Sequence, residues 1–217
     1  ARHLSYEGPF GIGYGVCEYL ARKENPQRNF KEQHEKKERE RVASQIRKQD
    51  AYVALARRAV EEYTRTGQVI PVPAGLPEEL YQQQAGVFVS LKENDSLRGC
   101  VGTVQAAESS VAEEIIYNAV SACSRDPRFQ PVGPEELDRL TITVDVLGKL
   151  EKVNSVEELD EKKYGVIVSK ENSQGLLLPD LDGVDSVQEQ IGIAKRKAGI
   201  KDQEEVELQR FEVIRHF

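Results

Sequence analysis

Residues 86–104 read GVFVSLKENDSLRGCVGTV. Two apolar, β-branched runs, 86–92 and 97–104, flank the polar string Glu93–Ser96, a pattern that predicts a β-hairpin. In the second run Gly99 and Gly102 flank Cys100. Glycine inside a strand costs entropy and packs nothing, so its presence implies close backbone approach or access for a ligand. Strand alternation places Arg98 and Cys100 on one face, and a neighbouring guanidinium favours thiolate over thiol. Cys100 is therefore the candidate nucleophile and Arg98 its companion. The competing reading is a packed thiol, because buried free cysteine is a common small hydrophobe. A nucleophilic cysteine also usually needs a base, and the chain offers only His3, His34 and His216.

Outward from the hairpin, a second unusual string is SRDPRFQPV (124–132). Pro127 ends the preceding helix at Asp126. Arg125 and Arg128 flank the turn; either pairs with Asp126 or faces the Arg98/Cys100 region and grips an anion, which a planar guanidinium suits. Before that turn, Ser110 and Glu113 form a capping-box signature, followed by an apolar face from Val111 to Cys123. Glu113, Glu114, Asp145 and Asp180 are further acid–base candidates, and alternation turns Asp145 away from Val144 and Val146 toward solvent. Residues 140–150 are the strongest β-strand. Capped helices are expected from Ser155 and from Ser186 to about Ala198, YGVIVSK and QGLLLP form another hairpin, and EVELQRFEVIRH is a closing strand. Upstream, Tyr52, Val53, Ala56, Ala59, Val60 and Tyr63 recur at helical spacing, with Gly67 as the stop and an extended proline loop after it. Local strand pairing with irregularly interposed helices predicts an α+β fold with a mainly antiparallel sheet and flanking helices.

Charge divides the 217 residues unevenly. The net charge is −7, but residues 22–48 carry ten Lys/Arg against five Glu. That stretch reads as a charged helical linker with i,i+4 pairs such as Glu32–Lys36 and Glu35–Arg39. An acidic remainder makes nucleic acid an unfavoured partner. No apolar run spans a bilayer and no signal peptide is evident, so the expected location is cytoplasmic. Cys17, Cys100 and Cys123 form no CxxC pair, and no metal-spaced cluster exists, so neither a disulfide framework nor a metal site is expected. Residues 11–16 miss the dinucleotide pattern because Val16 stands at its third glycine, and no cofactor is implied. Alternating Gly11, Gly13 and Gly15 instead suggest a strand belonging to a different sheet.

The strings LRGCVG (97–102), YVALARRAVEEY, SRDPRF, YGVIV, GLLLPDLDGVD, QIGIAKRKAGI and VELQRFEV, in this order, resemble the AMMECR family from about residue 49 to 217. The resemblance implies an α+β fold with a larger and a smaller subdomain. A cleft near the LRGC motif is its proposed active site. It makes Cys100 and Arg98 the leading catalytic candidates and Gly99, Gly102 and Arg128 the substrate-binding ones. Residues 1–21 resemble the C-terminal tail of a Memo-like, class III extradiol dioxygenase-like domain. That arrangement resembles AmmeMemoRadiSam system protein A and implies a Memo-like domain and a radical SAM protein as partners. The dioxygenase-like side's metal ligands would lie upstream, so none is carried over to His3. Cys123 is outside the family pattern, and Ala194 stands where many eukaryotic members carry cysteine. Three functions stay open: an enzyme subunit handling a small anionic or aromatic molecule, a protein-interaction adaptor, and RNA or nucleotide recognition.

Overall fold

The computed structural model describes the main chain of residues 2–7 and 14–18 and all of residues 29–181 and 183–217. Two compact units are present, Ala1–Lys37 and Glu38–Phe217. In the first, β1 (Arg2–Glu7) and β2 (Tyr14–Glu18) pair antiparallel. Gly15 belongs to β2, whereas Gly11, Gly13 and residues 22–28 of the expected linker lie outside the described residues. The charged stretch forms α1 (Phe30–Ile46), and its Val42 is buried rather than solvated.

The hairpin organises the second unit. β3 (Val87–Glu93) and β4 (Ser96–Gly102) pair around Asn94 and Asp95, whose φ values of 49° and 61° give the two-residue turn that suits strand twist. β5 (Leu140–Leu147) joins the other side of β3, and β10 (Val213–His216) joins β5, giving the order β10-β5-β3-β4. α2 (Ala51–Thr66) and α4 (Val111–Ser124) pack on this sheet. Their buried faces, including Val53, Ala56, Val60, Ile115 and Ala119, meet Val87, Val89, Leu91, Ile142 and Val144 in one core. Asp50 caps α2 by accepting from the Tyr52 and Val53 amides, and Gly67 ends it at φ 74°. Ser110 caps α4, while the Glu113 carboxylate reaches back to the Ser109 amide. A short helix, α3 (Glu78–Gln82), follows the proline loop.

The smaller subdomain has β6 (Glu151–Val153), β7 (Gly165–Lys170), β8 (Ser173–Leu177) and β9 (Glu207–Phe211) in the order β6-β9-β7-β8. α5 (Val187–Lys197) packs on β7 and β8. The second unit is thus α+β, with two antiparallel sheets instead of one. The expected single closing strand is a correction: it divides at Glu212, with β9 pairing β6 and β7 while β10 pairs β5. Each half has a different partner sheet, and Leu147, Ile167 and Phe211 pack where the sheets meet. Asp145 also departs from expectation. It is 2% exposed, and the Arg215 Nε donates to it at 2.7 Å. Alternation does turn it away from the helices, but that face is covered here. Burial pushes its pKa up against the opposing pull of Arg215.

The two subdomains share one packing device. A methyl added at Gly99 in β4 would overlap the Ala122 carbonyl oxygen of α4, and one at Gly175 in β8 would overlap the Ala194 carbonyl oxygen of α5. In both, a missing Cβ lets an edge strand sit against a helix backbone. Gly175→Ala should therefore destabilise the protein by about 2 kcal/mol through overpacking. Equilibrium urea unfolding checks this; a value within about 0.5 kcal/mol of wild type, as at an unconstrained surface site, would refute the close approach. No helix among the described residues is long and apolar enough to cross a membrane.

Candidate functional site

Arg98 is the extra residue of a β-bulge: Leu91 pairs with Gly99 and Lys92 with Leu97, leaving Arg98 unpaired in the ladder. The bulge breaks the alternation on which a shared Arg98/Cys100 face rests. Instead, the Arg98 Nε and Nη2 donate to the two Glu136 carboxylate oxygens at 2.7 and 3.0 Å. Its Nη1 and Nη2 also donate to the Gln130 and Pro131 carbonyls. This bidentate pair holds the Glu136 carboxyl below its ordinary range. Arg98 thereby ties the hairpin to the segment after α4.

Cys100 lies on the other face of β4 from Gly99, half-buried. The Ser90 hydroxyl, its cross-strand neighbour, donates to the sulfur at 3.3 Å. The Cys100 amide donates to Asp126 at 2.9 Å, and Arg128 donates to the Cys100 carbonyl at 3.1 Å. Asp126, 4% exposed, also accepts from the Arg128 amide, Nε and Nη2. That clamp, Arg128 first among its causes, lowers the Asp126 pKa to about 2. The Arg128 side chain remains 53% exposed and lies over the Phe129 ring.

A further cation joins from the smaller subdomain. Lys197, at the end of α5, donates to the Leu176 carbonyl at 3.3 Å. Enclosure of its amine pushes the pKa down; the Cys100 sulfur acts upward on it and Arg128 downward. The residue as a whole is exposed. The site therefore brings together Ser90, Cys100 and Arg128, with Lys197 within electrostatic range of the sulfur. Sequence reading missed Ser90 and Lys197: a serine in a strand and one cation of a KRK triplet carry no local signal. Arg125 is exposed and has no place in this cluster.

The space at Gly99 is taken by α4, and a methyl at Gly102 would overlap the Phe88 ring; both glycines make room for the protein's own atoms. Cys123 is buried on α4, and burial pushes its pKa to about 11. The acid–base candidates are engaged elsewhere. Glu114, 1% exposed, accepts from the Ala107 and Glu108 amides and the Thr103 hydroxyl, Glu113 serves the α4 cap, and Asp180 faces Lys162 at 3.8 Å. His216 stacks on Tyr52 and pairs with Asp50 at 2.5 Å.

This is an α+β protein with a half-buried thiol beside Ser90 and Arg128. The family model described as AMMECR1 matches residues 53–216, and the chain belongs to that family. It is 50% identical over 167 residues to a Thermotoga maritima protein, covering 76% of this chain and 96% of the relative. A Clostridium acetobutylicum protein is 45% identical over 214 residues, covering 98% of this chain. The chain spans 45% of that relative's length. The crystal structure of an uncharacterized Pyrococcus horikoshii protein is similar at a TM-score of 0.71 and 33% identity, covering 76% of this chain and 88% of that one.

The Asp126 clamp gives a pH-dependent prediction. A carboxyl whose pKa falls from 3.8 to about 2 on folding contributes stability that is present above 3.8 and lost as pH falls through 2. Asp126→Asn should cost about 2 kcal/mol at neutral pH, and the difference from wild type should close between roughly pH 4 and pH 2. Urea midpoints measured across that range test it; a pH-independent difference would mean the carboxylate charge contributes nothing.

Proposed function

We propose that this AMMECR-family chain handles a small anionic molecule at the surface formed by Ser90, Cys100, Arg128 and Lys197. It does so as one part of a larger system with a Memo-like domain and a radical SAM protein. The observation that carries this reading is a half-buried thiol that accepts from Ser90, with the exposed Arg128 bonded to the Cys100 carbonyl and Lys197 of α5 within electrostatic range of the sulfur. A packed core cysteine has no need of such neighbours, and Cys123 shows the alternative: buried, with its pKa pushed up. In this role Arg128 and Lys197 attract and orient the anion, Ser90 fixes the sulfur, and Cys100 presents it. Arg98, Gly99 and Gly102 shape the strand that carries Cys100 and act on the ligand through it. A match along 98% of this chain that spans 45% of a Clostridium acetobutylicum relative supports a neighbouring domain in the same polypeptide.

A second reading, a protein-interaction adaptor whose LRGCVG string is a folding signature, is favoured by the commitment of Arg98 to Glu136 and to two carbonyls. Charge-selective alkylation separates the two. In the folded protein Cys100 should react with iodoacetate and iodoacetamide, with Cys100→Ser as control, while Cys123 reacts only after unfolding. Lys197→Gln should slow the anionic reagent about threefold more than the neutral one, the scale of one partly screened charge. Cys100 that labels only on unfolding, or equal slowing of both reagents, would abandon the anion reading for the adaptor.

A further inference from the structure

At the opposite end of β5 from Leu147 the sheet is left open. β10 pairs with Val144–Leu147, and among the described residues no strand pairs with the outer edge of Leu140–Thr143. α2 and the end of α1 close over this edge and leave a cavity of about 340 Å³. Its apolar wall is Val53, Ile142 and the 71% exposed Phe217. Three cations line it: Lys48, Lys92 and Arg57.

Arg57 is the informative one. It is 7% exposed, a rare degree of burial for arginine without a carboxylate. Its Nε donates to the Gln49 side chain at 3.0 Å and its Nη2 to the Leu140 carbonyl at 3.0 Å. Both acceptors are neutral, so they satisfy donors and leave the charge uncompensated. Desolvation pushes its pKa down, with Glu61, one turn along α2, pulling the other way; Glu61 itself pairs with Arg65 at 3.1 Å. The cavity's one acidic residue, Asp95, is held by Arg41 at 3.2 Å. Among the described residues, Lys48, Arg57 and Lys92 therefore have no ion-pair partner.

We infer that this cavity is a binding site for a small organic carboxylate with an apolar body, its carboxylate at Arg57 and its body against Val53, Ile142 and Phe217. A largely buried guanidinium with no ion-pair partner supplies a weakly screened charge, and its Nη1, which no protein group engages among the described residues, is free to donate to a carboxylate. The cavity volume lies at the small end of the range of roughly 300–1,000 Å³ typical of ligand pockets. This site shares no lining residue with the Ser90/Cys100/Arg128/Lys197 cluster and stands independently of its function.

Benzoate, with benzyl alcohol as its uncharged counterpart, tests the site on the full chain by amide chemical-shift titration. Benzoate should saturate with shifts centred on Arg57, Thr141, Thr143 and Phe217, and bind at least about tenfold tighter than the alcohol, as one charge-assisted hydrogen bond predicts. Because Arg57 also holds α2 to β5, the variant used is Lys48→Gln/Lys92→Gln, at two exposed side chains. It should weaken benzoate about fivefold, the scale of two surface charges, and leave benzyl alcohol unchanged. Equal affinity for both probes, or an unaltered benzoate affinity in the double variant, would overturn the carboxylate site. So would shifts confined to Ser90, Cys100 and Lys197, which would assign the anion to the thiol site. Loss of benzoate binding in Lys197→Gln would likewise refute independence, whereas its retention supports two separate sites.

Discussion

The last turn of α4 lies against β4 at Gly99, and this close approach positions the rest of the LRGCVG region. With no Cβ in the way, the Ala122 carbonyl reaches the strand. The chain then leaves α4 within reach of the Cys100 amide, which Asp126 accepts. The same carboxylate holds Arg128 across the turn, and Arg128 returns to the Cys100 carbonyl. Beyond it, Gln130, Pro131 and Glu136 meet the bulged Arg98. One steric permission is thus followed by a chain of charge-assisted hydrogen bonds. These join β4, the α4 exit and the segment before β5, stronger together than neutral contacts of the same number.

This network changes what the arginine in the motif means. Proximity in sequence made Arg98 the natural partner for Cys100, but a bulge re-aims a side chain without altering composition. The cations near the thiol come from farther along the chain: Arg128 from the α4 exit and Lys197 from α5. The smaller subdomain reaches the thiol because β9 and β10 are consecutive in sequence yet belong to different sheets. Leu147, Ile167 and Phe211, packed where these sheets meet, keep the second sheet in place beside the first. Each fully buried side chain of this size contributes about 1.5–3 kcal/mol, so the placement of Lys197 is as secure as the core behind it.

Much of the local structure was legible because it follows from nearest neighbours. The Ser110 and Ser186 caps, the Gly67 stop, and the two hairpins are set by hydrogen-bonding side chains, backbone freedom and β-branched runs within a few residues. The apolar stripe Val53–Val60 named its own buried face. Three features were not legible. Glu212 divides one apparent strand between two sheets, which depends on partners about 40 to 70 residues away. Asp145 looks solvent-facing by alternation, but its face is covered and Arg215 answers it. Arg98 leaves the strand's period because Leu91 pairs with Gly99 and Lys92 with Leu97, a register choice the string LRGC does not encode.

By itself, then, the sequence determined the α+β class, the positions of most caps and turns, the buried helix faces and the family, through its ordered motifs. These rest on short-range propensity and periodicity, which act within one element. Tertiary structure alone decided that the second unit has two sheets, that Cys100 meets Arg128 while Arg98 meets Glu136, and that Arg57 is buried without an anion. Those outcomes depend on which faces are covered and which charges meet across long loops. Packing and desolvation set them only once the elements are assembled.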